Sequence, residues 1–194
     1  MSNNKMPLSI PRSYLKVTAA FAFFVTSSIG IAADDISKLA AVCSACHGAE
    51  GISPSDTIPN LAGQKALYMA AEIKAIRDGY RKNSLMDEVV KNLSNQQISS
   101  LASYYSKMTA PSIIAKKINY QGKNTRAVCI SCHGINGITV NDQWPNLAGQ
   151  KQQYLRKQLL AFRNDSRDGS YMQVIAKELT DEQIDAVAEY YSQL

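Results

Sequence analysis

The chain has little of several things, and each shortage excludes a class of function. Its 194 residues contain two histidines and four cysteines. That leaves no room for a histidine-rich metal centre or a dense disulfide framework. Charged residues make up only 19% against 45% hydrophobic, which excludes a disordered chain or a coiled coil. No apolar run reaches the roughly 18 residues that a transmembrane helix needs. No basic run with interleaved aromatics occurs, so nucleic acid is not a partner despite the formal charge of +5. What is present is concentrated. All six His and Cys residues fall in two copies of one frame, Cys43-Ser-Ala-Cys46-His47 and Cys129-Ile-Ser-Cys132-His133.

The first thirty-odd residues read as an export signal. Lys5, Arg12 and Lys16 precede an apolar stretch from Val17 to Ile31, interrupted by Thr and Ser. Ala32 and Ala33 then precede Asp34 and Asp35, the order of a secretory leader and its small-residue cleavage site. Residues 1–33 are expected to be a signal peptide, with an uncleaved membrane anchor as the alternative. Without them the charge falls to about +2. The expected compartment is the periplasm.

Shifting the chain by 86 residues superposes it on itself without a gap. The Pro59-Asn-Leu-Ala-Gly-Gln-Lys65 segment falls on Pro145-Asn-Leu-Ala-Gly-Gln-Lys151. Tyr68, Arg77, Arg81 and Met86 fall on Tyr154, Arg163, Arg167 and Met172. The period is too long for a solenoid, so each copy is a small domain, 34–112 and 113–194. Domains of this size often need a metal, disulfide or cofactor to complete the core.

The pattern is helical, with no convincing strand. Ile98, Leu101, Ala102 and Tyr105 follow helical spacing, as do Ile184, Val187, Ala188 and Tyr191. Ser94-x-x-Gln97 and Thr180-x-x-Gln183 are capping-box patterns at the starts of those helices. Segments 65–79 and 150–164 read as a second helix per copy, and a short helix is expected before each cysteine motif. Gly48 to Gly63 reads as a loop wrapped around something.

Cys-x-x-Cys-His fits three chemistries: covalent attachment of c-type haem, a zinc site and a redox dithiol. A dithiol has no need of a following His in both copies. Zinc leaves the distant repeated Met without a role. Export suits haem, with the thiols on its vinyl groups and His47 and His133 on iron. The other axial ligand follows by elimination. No further His exists, and of the methionines only Met86 and Met172 recur in register, each 39 residues after its His. Core filling is the bland alternative for a Met. Lys91 and Lys177 also recur, and an open site is the remaining option. His/Met ligation favours Fe(II), raises the potential and leaves no position for substrate.

With these motifs in hand, the chain resembles the dihaem cytochrome c4 family of class I c-type cytochromes. The resemblance rests on Cys-x-x-Cys-His-Gly, the Pro-Asn-Leu-Ala-Gly-Gln loop, the Tyr that follows, and Met-x6-Leu-[Ser/Thr]-x3-Ile-x3-Ala-x-Tyr-Tyr, each present twice. It implies an all-α fold of two tandem cytochrome c domains related by a pseudo-twofold axis, with two covalent haem c groups. It also implies that the carbonyls of Pro59 and Pro145 orient His47 and His133. In the family a helical Gly lets the first helix cross the last one closely. Gly122 fits that place in the second copy, whereas the first copy must use a small residue such as Ala40 or Ala41.

The remaining repeats carry competing roles. Arg81 and Arg167 are the better candidates for haem propionates, ahead of Arg77 and Arg163. Tyr68 and Tyr154 either donate to a propionate or pack. Trp144, which replaces Ile58, is expected to pack in the haem pocket. Gly63 and Gly149 are expected to make a tight turn into the next helix. The leading function is a diffusible electron carrier, not an enzyme, between a quinol–cytochrome c oxidoreductase and a terminal oxidase or reductase. The alternative is the cytochrome subunit of a flavin- or quinone-linked periplasmic dehydrogenase. A dihaem peroxidase requires an open iron, which two retained Met residues oppose. Membrane association would come through a partner or an uncleaved leader.

Overall fold

A computed structural model describes residues 33–111 and 118–194. The proposed leader, 1–33, lies outside the described residues except for its last position, as does the expected domain junction after residue 112. The described residues belong to one compact unit, Ile31–Leu194. Among them there is no strand, and no helix is long and apolar enough to cross a membrane.

The first half holds α1 (Ala33–His47), α2 (Ala66–Arg77), α3 (Asp87–Val90) and α4 (Asn95–Ser106). The second holds α5 (Tyr120–Thr125), a 3-10 turn (Arg126–Val128), α6 (Ile130–His133), α7 (Gln152–Arg163), α8 (Ser170–Lys177) and α9 (Asp181–Ser192). Both capping boxes form. Ser94 accepts from the backbone of Gln97, Thr180 from that of Gln183, and each Gln side chain accepts from the cap's backbone in return. These reciprocal bonds fix where α4 and α9 begin. Their apolar stripes then fill the two cores, with Ile98 and Ile184 wholly buried and Tyr105 and Tyr191 nearly so.

The first helix differs from expectation. It was expected to stop before the cysteine motif, yet α1 runs through Cys43 and Cys46 to His47. Nothing in residues 34–47 breaks a helix. In the second half the same stretch is divided by the 3-10 turn at Arg126. Ala40, at the equivalent position, is buried against Leu101, Ala102 and Tyr105. A guanidinium does not fit where a methyl group is buried, and Arg126 instead lies over the Tyr190 ring at 5.5 Å. The carbonyl of Ala40 accepts from the Tyr105 hydroxyl at 3.2 Å. Arg126 offers its carbonyl to the Cys129 N–H instead.

Gly122 makes the close crossing expected of it. A Cβ there would lie 2.0 Å from the carbonyl oxygen of Ala186 and 2.7 Å from Tyr190 Cβ. In the first half Ala40 takes the crossing and Ala41 is exposed.

Candidate functional site

Each site is built on a helix end and the loop beyond it. Cys43, Cys46 and His47 occupy the last turn of α1, and Cys132 and His133 lie on α6 with Cys129 as its N-cap. The chain then reverses at Gly48 and Gly134, with φ of +80° and +79°. A Cβ at Gly48 would sit 2.1 Å from the Ile52 carbonyl oxygen, so glycine is required after the motif. Ser53 Oγ donates to the Cys46 carbonyl at 3.2 Å, and Thr139 Oγ1 to that of Cys132 at 2.8 Å. These bonds close the loop back onto the motif.

The loop delivers the histidine's orienting partner. His47 Nδ1 donates to the Pro59 carbonyl at 2.8 Å, and His133 Nδ1 to that of Pro145 at 2.9 Å. Both rings are almost wholly buried. Burial pushes each imidazole below its ordinary pKa, partly offset by the bond to the proline carbonyl. The neutral ring thus keeps its proton on Nδ1 and its lone pair on Nε2, the form that binds a metal.

The thiols are free rather than paired in disulfides. Burial pushes the Cys43 thiol up, and that of Cys129 to about 11. Cys43 and Cys129 are therefore neutral thiols at ordinary pH. Among the described residues no group of three or more His, Cys, Asp and Glu side chains forms a metal-binding cluster. The donor set fits haem c: two adjacent thiols for the vinyl groups and one oriented, neutral imidazole for iron.

Met86 is the N-cap of α3, and Met172 is the third residue of α8. Both are half-buried and stand outside the two main core clusters. Trp144 is half-buried on the loop before Pro145.

The arginines divide as two pairs. Arg77 and Arg163 are taken by structure: they donate to the carbonyls of Leu93 and Leu179 and pair with Asp78 and Asp181. Arg81 and Arg167 meet across the two halves. Arg81 donates to Glu72 at 2.5 Å, Gln158 at 2.8 Å and the Tyr154 hydroxyl at 3.3 Å. Arg167 donates to Glu72 at 2.7 Å, Gln158 at 2.7 Å and the Tyr68 hydroxyl at 3.2 Å. Burial holds the Tyr68 phenol well above its ordinary pKa, so it stays protonated.

A second network between the halves, built from amides, was not foreseen from the sequence. Gln64 accepts from the Asn146 N–H at 2.8 Å and donates to its carbonyl at 2.9 Å. Gln150 makes the matching pair of bonds to Asn60. Asn60 and Asn146 in turn donate to the carbonyls of Gly149 and Gly63. The signal was present: an Asn and a Gln four residues apart recur in both copies.

The two halves that carry these sites also match one family twice. A family model described as cytochrome c matches residues 33–109 and 121–194. The chain belongs to the cytochrome c family. Within it, the chain is 35% identical over 166 residues to cytochrome c4 of Pseudomonas aeruginosa, covering 78% of this chain and 83% of that one. It is 34% identical over 168 residues to a thiosulfate dehydrogenase electron acceptor of Thiomonas intermedia, covering 78% and 77%. The crystal structure of reduced cytochrome c4 from Pseudomonas stutzeri superposes with a TM-score of 0.78 at 31% identity, covering 84% of this chain and 98% of that one. The protein is accordingly a cytochrome c4 relative: all-α, two tandem cytochrome c domains, with Cys43/Cys46 and Cys129/Cys132 the attachment pairs for two haem c groups.

Proposed function

We propose that this cytochrome is an exported dihaem electron carrier with His47/Met86 and His133/Met172 as the two axial ligand pairs. The observation that carries the reading is the paired, Nδ1-anchored imidazole directly after two free thiols, found twice. Haem c, when bound, supplies a one-electron iron couple. The chain supplies the rest. Its cysteines hold the group, and its prolines fix each imidazole plane through the carbonyl bond. The half-buried Met thioethers favour the reduced iron. With one His and one Met from each half given to iron, no position would be left for a substrate, so the protein is proposed to move electrons rather than transform a bound molecule. Arg81 and Arg167 are proposed to present their remaining guanidinium edges to haem propionates.

The domains are proposed as 34–112 and 113–194, following a cleaved leader, 1–33, with the periplasm as compartment. The donor is proposed to be a quinol–cytochrome c oxidoreductase and the acceptor a terminal oxidase or reductase. A second reading is favoured by a specific observation. Relatives include a thiosulfate dehydrogenase electron acceptor, and a thiosulfate dehydrogenase from Marichromatium purpuratum superposes with a TM-score of 0.70 at 26% identity. This chain covers 36% of that structure. On this reading the protein takes electrons from a periplasmic dehydrogenase. Stopped-flow reduction of the purified cytochrome by each class of donor separates the two: fast reduction by the oxidoreductase alone supports the first, and by the dehydrogenase alone the second.

A further inference from the structure

The cluster between the two halves contains a charge that the repeat does not. Tyr68 and Arg81 recur as Tyr154 and Arg167, whereas Glu72 recurs as Gln158. The two side chains occupy equivalent places. Gln158 Oε1 accepts from both Arg81 and Arg167. Glu72 accepts from Arg81 through Oε2 and from Arg167 through Oε1. Glutamate and glutamine have nearly the same shape and both bridge the two arginines, Gln158 through one oxygen and Glu72 through two, so the pair differs chiefly in charge.

Two guanidinium groups therefore share one carboxylate. The side chains are 12%, 7% and 23% exposed for Arg81, Arg167 and Glu72. Charges so placed are screened far less than surface charges and act at longer range. The arginines also lie on the approach to the proposed ligands, five residues before Met86 and Met172 respectively. Whatever holds the two guanidinium groups thus anchors both ligand-bearing segments.

We propose that Glu72 is a positioning residue shared by both redox halves, holding Arg81 and Arg167 in one frame and supplying a single negative charge to both haem environments. The proposal rests on the haem-ligand reading above. Ferric haem carries one more positive charge than ferrous haem, so a fixed carboxylate nearby favours the ferric form and lowers the potential. Because the carboxylate bonds one arginine of each half, the two midpoints move together.

The test is a spectroelectrochemical titration of the haem-loaded protein at low and moderate salt. Glu72→Gln makes the cluster chemically symmetric, and both midpoints are expected to move positive. Gln158→Glu adds a second carboxylate, and both are expected to move negative. The second variant keeps the idea testable if the first does not fold. Asp185→Asn, at an exposed residue paired with Arg156, is the control and leaves both midpoints in place. A folded variant at position 72 or 158 with either midpoint unmoved overturns the shared role. Failure of the ligand reading looks different: the wild-type protein itself would lack the weak far-red band of Met-ligated ferric haem.

Discussion

Asn60 and Gln150 are bonded to each other twice. The Asn60 N–H donates to Gln150 Oε1 at 2.8 Å, and Gln150 Nε2 donates back to the Asn60 carbonyl at 3.0 Å. The two residues come from opposite halves and both are buried. Asn60 Oδ1 also accepts from the Ser53 N–H at 2.8 Å, within the loop that ends at Pro59. One side chain thus joins the half-to-half contact to the loop that orients His47. Each half's imidazole is held by a loop that the other half helps to fix.

Gln150→Ala removes both bonds and leaves the Asn60 N–H and carbonyl buried without partners. Each orphaned group costs about 1–3 kcal/mol. The unfolding free energy of the haem-loaded protein in denaturant is expected to fall by at least about 2 kcal/mol. Exposed Gln153→Ala serves as the control and is expected to change it little.

Gly122→Ala is expected to destabilise the second half. The new methyl group meets a backbone carbonyl, which cannot rotate away as a side chain can. Overpacking of this kind typically costs about 1–3 kcal/mol. The melting temperature of the variant should drop by several degrees. An unchanged melting temperature would show that the crossing of α5 and α9 is looser than described.

Acid should weaken the fold through the two imidazoles. Both have folded-state pKa values lowered by burial from the ordinary 6.5. The unfolded chain binds protons that the folded one refuses, so this contribution is complete above about pH 6.5 and is lost as pH falls toward the folded values. Coordination of the same nitrogens to iron has the same sign. Denaturant midpoints are expected to be flat from about pH 7 to 8 and to decline below about pH 6.5. A midpoint that rises on acidification contradicts the buried, neutral histidines.

Much of this architecture is legible in the sequence because it is local. The capping boxes at Ser94 and Thr180 are four-residue patterns that need no tertiary partner. Gly122 stands out as a glycine inside a helix, and the twelve-residue spacing from His47 to Pro59 gives the carbonyl bond once the family pattern is applied. The illegible part is what crosses between halves. Glu72 and Gln158 are ordinary polar residues of α2 and α7, and nothing local distinguishes them. The break at Arg126 was also hidden, because it follows from where a long side chain goes at the place that Ala40 fills in the first half. Position before the Met segment ranked Arg81 above Arg77, but did not show the partners of either. Folding supplies those partners, sending Arg77 to the Leu93 carbonyl and Arg81 across to Gln158.

The most direct test of the central claim is the ferric absorption spectrum and redox titration of the protein beside Met86→Ala and Met172→Ala. The account predicts two low-spin haems at positive potential in the wild type, with a far-red Met–iron band. Each single variant should lose about half of that band and one of the two high midpoints, and the double variant should lose both. A wild-type protein with a high-spin haem, or a variant that keeps the full band, would contradict the assignment of that methionine to iron.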